Sequence, residues 1–427
     1  MNKKIDNAEK AFQDWKKKSI KDRISIIKNI QNLLETNFGT YAKIITDDMG
    51  KPITQAEAEV KKCALVCNYY IENAETFLAP KTIKTEAQES FVTYEPLGVI
   101  LGVMPWNFPF WQVFRFAIPT VLAGNTVVVK HASNVAKSAQ LIEDIFKQAG
   151  SPDSLYTNLP ISSKEVEAII ANPIVKAITL TGSEDAGKAV SSTAAKHLKK
   201  SVLELGGSNA FIVLEDVDVN EIIPTAINAR MQNTGQSCIA GKRFLVHEKV
   251  YDAFVEAFVN GVKKMKFGDP TQRDTEIGPI AREDLAKEVE ELVNNSVNKG
   301  AKIALGAKRD KAYYEPTILT EVTPKMDVFT KEVFGPVAPI LKIKDLDEAI
   351  ELSNKSEFGL GVSIFTKDIN AIKSRISEFN EGAVFINEMV KSDPRLPFGG
   401  IKKSGFGREL AEDGIKEFVN VKTVYIK

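Results

Sequence analysis

The apolar positions of the first part of the chain recur every three or four residues, which is the spacing of one buried face on an α-helix. This pattern predicts helices over about 6–76. The Lys-rich faces between their apolar positions are expected to be solvated. The clearest run of apolar side chains comprises Ile20, Ile24, Ile27, Ile30 and Leu34.

From residue 98 onward, short apolar runs alternate with amphipathic stretches. The first series of predicted strands is 98–104, 125–130, 175–180 and 202–205. A second series begins near residue 210, with strands at 211–214 and 244–246 and helices at 219–232 and 251–265. Such alternation predicts an α/β fold with two parallel-sheet domains, divided near Gly206 and Gly207.

Two extended segments, 89–94 and 418–426, stand apart from these series and alternate apolar and polar residues. Isolated strands leave open edges in a monomer. We therefore expect them to pair with each other and with another subunit, in a homodimer or homotetramer.

Composition narrows the classes of function. The 56 basic and 56 acidic residues give a net charge of zero, which favours neither nucleic acid nor an anionic membrane as a partner. The apolar stretch 96–129 is long enough to span a bilayer, but it contains four prolines, so it is predicted to form buried strands and a short helix. The N-terminus has no apolar run and predicts no signal peptide.

Three cysteines do not make a disulfide framework and favour a reducing compartment, the cytoplasm. Cys63 and Cys67 lie one helical turn apart, where core packing is expected. With only three histidines in the chain, no metal site is predicted.

The third cysteine, Cys238, lies in a short polar loop between a predicted helix and a predicted strand. Gly235, Gln236 and Ser237 precede it, and Gly235 is well placed to end the helix. A buried small hydrophobe is the ordinary interpretation of a lone cysteine. A polar loop that keeps the sulfur accessible is instead what a nucleophile needs, and this stretch alone does not decide between the two.

A helix start that suits a phosphate follows the strand at 175–180. The run from Thr181 to Ala189 nearly matches the phosphate-cradling Gly-x-x-x-x-Gly-Lys-Ser/Thr loop, but Ala189 replaces the metal-binding hydroxyl. Nucleotide hydrolysis is therefore disfavoured, whereas Gly182 and a capping Ser183 leave a helix N-terminus that favours a pyrophosphate. Plain helix capping is the alternative. No Gly-x-Gly-x-x-Gly motif follows a strand, so an ordinary Rossmann dehydrogenase is disfavoured.

Three polar residues are further candidates for chemistry. Glu204 lies in an apolar, glycine-rich run, where burial raises the pKa of a carboxyl toward that of a general base; a solvent-facing strand end is the alternative. Asn107, after a buried strand, can donate to a developing oxyanion, or simply satisfy backbone groups. Glu332 lies in a predicted loop, and the alternative to a chemical role is that it belongs to a simple surface turn.

Taken together and in order, these motifs resemble the aldehyde dehydrogenase superfamily over nearly the whole chain. The matching runs are Pro105-Trp-Asn-Phe-Pro109, Val129-Lys130, Thr181-Gly-Ser183, Leu203-Glu-Leu-Gly-Gly207, Gly235-Gln-Ser-Cys238, Glu332-Val-Phe-Gly-Pro336 and Pro397-Phe-Gly-Gly-Ile-Lys-Lys-Ser404. The chain begins almost directly in the first helices, without the opening few dozen residues of typical members.

The resemblance implies an NAD(P)-dependent oxidation of an aldehyde to a carboxylic acid. Cys238 is implied to attack the carbonyl carbon and form a thiohemiacetal, then a thioester. The Asn107 amide and the Cys238 backbone N–H hold the oxyanion, and Glu204 activates water. The cofactor-binding residues that the resemblance implies are Trp106, Lys130, Ser133, Gly182, Ser183, Glu332 and Phe334.

NADP is the expected cofactor, with NAD also possible. Many NAD-preferring members carry a glutamate three residues after the strand-end lysine, where this chain has Ser133. A small hydroxyl leaves room for a 2′-phosphate that a carboxylate would repel. Lys130 supplies positive charge, and His131 is expected nearby.

The predicted aldehyde substrate is succinate semialdehyde. Arg115, eight residues after Asn107, matches the position where succinate-semialdehyde dehydrogenases keep an arginine for the distal carboxylate. Arg230 and Ser392 are predicted to join it. Ion pairing is the alternative for Arg115, and a helix C-terminal contact is the alternative for Arg230. Gln232 departs from the family pattern, because some members place a second arginine there.

The resemblance divides the chain into three parts. They are a cofactor-binding domain over 1–78 and 96–206 with part of 388–414, oligomerisation strands at 79–95 and 415–427, and a catalytic domain over 207–387. The alternatives for function are a broad-range short-chain aldehyde dehydrogenase, a catalytically idle binding or structural protein on this fold, and an acyl-phosphate or acyl-CoA reductase of similar topology.

Overall fold

The computed structural model describes residues 2–427 of the chain. Three helices open it, Asn2–Trp15, Ile20–Met49 and Ile53–Phe77, so the predicted helical region is confirmed. Ser19 caps the second helix: its hydroxyl accepts from the Asp22 N–H at 3.2 Å, and the Asp22 carboxylate accepts from the Ser19 N–H.

The first sheet has six strands, and every neighbouring pair is parallel except the one at the edge formed by Gly405–Phe406. Its strands, from edge to edge, are Gly405–Phe406, Lys200–Glu204, Val175–Thr181, Val99–Met104, Thr126–His131 and Tyr156–Asn158. The helices that follow its strands are Trp111–Leu122, Ala136–Gln148, Val166–Ala171 and Glu184–Lys196.

Alternate residues of this sheet are buried on opposite faces, as expected for a parallel sheet covered on both sides. Val127 and Val129 pack with the second and third helices, whereas Val128 packs with Leu101 and with Ile5 of the first helix. The strand that starts at Val99 has neighbours from later in the chain on both sides. The order therefore reverses there, and ligands bind at the carboxyl ends of strands beside such a switch point.

The chain then enters a second sheet of seven strands, parallel except at the edge strand Lys302–Leu305. In order they are Lys302–Leu305, Thr317–Thr320, Val337–Ile343, Gly241–His247, Asn209–Val213, Val362–Phe365 and Val384–Ile386. Its main helices are Val219–Met231, Glu248–Val262, Glu283–Asn298 and Leu346–Asn354. The predicted α/β class with two parallel sheets is confirmed.

A third, antiparallel sheet joins the two extended segments. Glu89–Pro96 pairs along its length with Val419–Ile426, and Lys81–Thr82 adds a short edge. The outer strand exposes apolar side chains, including Val421 at 60% and Tyr425 at 51% of their surface.

The apolar stretch 96–129 is divided into a strand, a helix and a strand, as the prolines predicted. Within residues 2–427, no helix has both the length and the apolarity needed to cross a membrane.

Candidate active site

The loop that carries Cys238 is held in an unusual backbone conformation. After the helix ends at Met231, Asn233 and Thr234 have φ angles of 54° and 56°, and Gly235 has a φ of 72°. Such left-handed residues cost free energy and are found preferentially at functional sites. A side chain at Gly235 would collide with the carbonyl oxygen of Gly335, so glycine is required where these two loops meet.

Side chains fix this loop to the first sheet. The Asn233 amide donates to the Asn107 carbonyl oxygen at 2.8 Å and to the Gln236 carbonyl oxygen at 3.1 Å. The Asn107 amide nitrogen donates to the same Gln236 oxygen at 3.0 Å, and its own oxygen accepts from Gln112 at 3.0 Å. Because Gln112 fixes which end of the Asn107 amide faces the loop, that amide presents its N–H groups toward the cysteine loop.

Cys238 is half-buried and lines two cavities. One, of about 340 Å³, is lined on its other sides largely by aromatic side chains and by side chains of both charges; the second, of about 300 Å³, lies at the carboxyl ends of the first sheet. Burial raises the pKa of the Cys238 thiol, while the positive charges of Arg115 and Lys242 oppose that rise. Cys63 and Cys67, by contrast, are fully buried in the core, as predicted.

The second cavity collects most of the residues predicted for the cofactor. It is lined by Trp106, Asn107, Thr181, Gly182, Ser183, Glu332 and Phe334, besides Cys238. Ser183 caps the helix Glu184–Lys196, accepting from the Ala186 N–H at 3.3 Å. The Trp106 and Phe334 rings meet edge to face at 5.7 Å. A helix N-terminus, a carboxylate and two aromatic rings suit a dinucleotide, since they offer N–H donors to phosphate and an acceptor to ribose hydroxyls.

Lys130 and Ser133 lie beyond this cavity, at the end of the neighbouring strand Thr126–His131. Lys130 is half-buried and, within the described chain, has no carboxylate within 4 Å; Ser133 is exposed. His131 is the next residue of the same strand. Burial lowers its pKa to about 4, so the ring is neutral near pH 7 and supplies no charge to a phosphate.

Glu332 is held by a residue that the sequence did not single out. The Lys242 ammonium donates to the Glu332 carboxylate at 2.6 Å, to the Gly207 carbonyl oxygen at 2.7 Å and to the Cys238 carbonyl oxygen at 3.0 Å. The Gly207 N–H adds a bond of 3.1 Å to the same carboxylate oxygen. A lysine inside a buried strand is costly unless it is paired. Lys242 was missed because the strand was predicted to begin at residue 244, whereas it begins at Gly241.

Glu204 ends its strand in the interior, with 2% of its surface exposed. Neither carboxylate oxygen has a hydrogen-bond partner among residues 2–427. Burial, and then the negative charge of Glu409, raise its pKa well above the ordinary value, and its charge is felt in turn at the Cys238 thiol. Glu204 lines neither cavity.

The first cavity holds two of the three residues predicted for the substrate, Arg115 and Ser392. Arg115 is buried and forms an ion pair with Glu409, and it also donates to the Thr181 hydroxyl at 3.2 Å. The Ser392 hydroxyl accepts from the Trp111 indole N–H at 3.0 Å and from the Lys62 ammonium at 2.8 Å. The aromatic residues at this cavity are Phe108, Trp111 and Phe398.

Arg230 is not brought to either cavity. It is fully buried, and its guanidinium donates to the carbonyl oxygens of Val333, Gly335 and Val337. Its donors are thus used by the loop that presents Glu332 and Phe334. In this geometry Arg230 stabilises that loop and does not make the predicted substrate contact.

The sequence relationships agree with this geometry. The model of the aldehyde dehydrogenase family matches residues 1–424, and the chain belongs to that family. The resemblance and the prediction of an NAD(P)-dependent aldehyde dehydrogenase are confirmed.

Individual relatives are close. A probable NADP(+)-dependent succinate-semialdehyde dehydrogenase of Synechocystis sp. is 47% identical over 429 aligned residues, covering 100% of this chain and 94% of that protein. Succinate-semialdehyde dehydrogenase 1, also described with NADP(+), of Mycobacterium tuberculosis is 45% identical, with 99% and 94% covered. Among solved structures, the succinic semialdehyde dehydrogenase of Streptococcus pyogenes in complex with NADP+ matches with a TM-score of 0.97 and 36% identity, covering 100% of this chain and 94% of that one.

Proposed function

We propose that this protein oxidises succinate semialdehyde to succinate with NADP+ as the electron acceptor. One observation carries the proposal: the Cys238 sulfur lies in the wall between a cavity with cationic side chains and a cavity suited to a dinucleotide. An aldehyde and a cofactor can therefore meet at one atom. The named relatives support the choice of substrate and cofactor.

The first step is attack by the Cys238 thiolate on the aldehyde carbon, which forms a carbon–sulfur bond and places negative charge on the former carbonyl oxygen. The Asn107 amide, oriented by Gln112, and the Cys238 backbone N–H donate to that oxygen. Arg115 and Lys242 favour the thiolate over the thiol, since each lowers the pKa of Cys238.

The residues of the second cavity fit NADP+. Gly182 and Ser183 would face its diphosphate at the helix N-terminus, Glu332 its nicotinamide ribose, and Lys130 with Ser133 its adenosine ribose phosphate. When bound, NADP+ accepts the hydride of the oxidation, and a thioester is left on Cys238. Lys242 fixes the Glu332 carboxylate that this arrangement requires.

Glu204 completes the cycle as a general base. Its side chain turns from Glu409 toward the sulfur, removes a proton from water, and the resulting hydroxide attacks the thioester carbon. The carbon–sulfur bond breaks, the acid leaves, and Cys238 regains a thiol or thiolate. The raised pKa of Glu204 suits this role, because a stronger base accepts a proton more readily.

The cofactor proposal predicts the effect of one charge at the strand end. Ser133→Glu should move the ratio of kcat/KM for NADP+ over NAD+ toward NAD+ by about 10- to 100-fold, because a carboxylate repels a 2′-phosphate. Ser133→Gln is the matched control, since it adds the same bulk without charge and should change the ratio much less. Equal shifts in both variants, or a wild-type preference for NAD+, would contradict the proposal.

The substrate proposal predicts a selective effect at Arg115. Arg115→Leu should raise KM for succinate semialdehyde by about 10-fold or more, and KM for butanal, which lacks the carboxylate, far less. Arg115→Lys keeps the charge and should retain most of the selectivity. A loss of the same size for both aldehydes would instead indicate that Arg115 acts only through Glu409.

A broad-range short-chain aldehyde dehydrogenase is the second candidate. The observation that favours it is the ion pair between Arg115 and Glu409, which neutralises much of the charge offered to a substrate carboxylate. A panel of short aldehydes with and without a distal carboxylate, each assayed with NADP+, separates the two candidates.

We further propose a homodimer or homotetramer in the cytoplasm. The exposed apolar side chains of the outer strand Val419–Ile426 support a subunit contact at the antiparallel sheet. Three free cysteines support a reducing compartment. The mass in solution, measured by light scattering, tests the oligomer.

A further inference from the structure

Three cationic side chains line the cavity on the substrate side of Cys238, and two of them already have a carboxylate partner. Arg115 is paired with Glu409, and the Lys391 ammonium lies 2.7 Å from Glu388. The third, Lys62, has no carboxylate within 4 Å in the part of the chain described, residues 2–427. Among the cationic side chains of this cavity, Lys62 is therefore the one without a directly paired carboxylate.

Neutral groups hold the Lys62 ammonium in place. It donates to the Ser392 hydroxyl at 2.8 Å and lies 4.2 Å from the centre of the Trp111 ring. The Trp111 indole N–H donates to the same hydroxyl at 3.0 Å, so that one residue supports the lysine twice. Cation–π contact and a hydroxyl orient the ammonium without neutralising it, and two of its three N–H groups remain for a ligand.

The surroundings of Lys62 lack a counter-charge that a bound anion would supply. Burial, and then the nearby charge of Arg115, lower the pKa of Lys62 to about 8, against the weaker effects of Cys63, Glu59 and Asp393. Glu59 is itself engaged, because it pairs with Lys51 and accepts from the backbone N–H groups of Phe110 and Trp111. A carboxylate from outside the chain would supply the missing counter-charge.

We propose that Lys62 determines specificity for aldehydes with a distal carboxylate, by binding that carboxylate while Cys238 holds the aldehyde carbon. This inference rests on the proposed function and adds the principal group that recognises the substrate class. Ser392 acts through Lys62 as a positioning residue. Lys62 thereby supplies, from the helix Ile53–Phe77, a charge that the neutral Gln232 in the same cavity does not.

The test compares succinate semialdehyde with butanal, its analogue without the carboxylate, in the full-length enzyme with NADP+. Lys62→Met should raise KM for succinate semialdehyde by about 10- to 100-fold, the value of one charge-assisted hydrogen bond, and leave both constants for butanal within about threefold. Lys62→Arg should restore most of the preference. Lys61→Met, which removes the same charge from the exposed neighbouring position, is the matched control and should change neither aldehyde.

The outcomes distinguish a failure of the role of Lys62 from a failure of the proposed substrate. A Lys62→Met enzyme with the wild-type preference, or one that loses both aldehydes equally while Lys62→Gln does the same, would overturn the role of Lys62 and leave the proposed function intact. A wild-type enzyme that oxidises both aldehydes equally well would overturn the proposed substrate, and the role of Lys62 with it.

Discussion

Replacing Cys238 with alanine should abolish aldehyde oxidation, lowering kcat/KM by about four orders of magnitude or more. The sulfur forms the bond through which every later step passes, and no other described cysteine reaches either cavity, since Cys63 and Cys67 are fully buried in the core. The measurement is the rate of NADPH formation at saturating aldehyde and cofactor.

The control for this loss is Cys67→Ala, which removes a thiol of the third helix and should keep nearly full activity. Binding of NADP+ to Cys238→Ala, followed by quenching of intrinsic fluorescence, should remain close to wild type, because the phosphate and ribose contacts do not involve the sulfur. Sustained turnover by Cys238→Ala would refute the covalent mechanism.

Glu204→Gln should separate oxidation from hydrolysis. The amide cannot accept a proton from water, so steady-state turnover should fall by about 10²- to 10⁴-fold. A single burst of NADPH, near one equivalent per subunit, should persist because the thioester still forms. Added hydroxylamine, a nucleophile that needs no base, should restore turnover by releasing the acyl group.

The pH dependence of thioester hydrolysis follows from the direction in which the pKa of Glu204 is shifted. Burial and Glu409 raise the pKa of Glu204, and only the ionised form is a base, so the hydrolytic step should gain rate as pH rises through that raised value. A raised carboxyl pKa in the folded state also means that folding stability is lost as pH rises through it. Glu204→Gln should therefore not lower Tm at neutral pH. Loss of the NADPH burst, or a large fall in Tm, would contradict the assigned role.

Strand and helix positions could be predicted because they depend on local periodicity. The strands of the first sheet at residues 99, 126 and 175 begin within one residue of the predicted positions. Cys238 and Asn107 could also be singled out from local sequence, since Cys238 lies in a short polar loop after a helix and Asn107 is the polar residue that follows a buried strand. Two strands of the first sheet, Tyr156–Asn158 and Gly405–Phe406, were too short to give a periodic signal.

Side-chain partners could not be predicted, because they come from distant parts of the chain. Arg230 lies at the end of a helix, and the direction of its side chain could not be inferred from that position. The three carbonyl oxygens that accept its hydrogen bonds lie more than a hundred residues away in sequence. Glu409, the partner of Arg115, is equally remote in sequence. Lys62 belongs to a helix whose polar face was expected to be solvated. The approach of Trp111 and Ser392 distinguishes it from the exposed Lys61.

The position of Cys238 between two cavities has a consequence for inhibition. A small molecule lodged among Phe108, Trp111 and Phe398 blocks the route of the aldehyde and leaves the entrance of the dinucleotide open. Such a compound competes with one reactant alone. An inhibitor of this enzyme can then be sought in the chamber that these three aromatic residues line, without imitating a nucleotide.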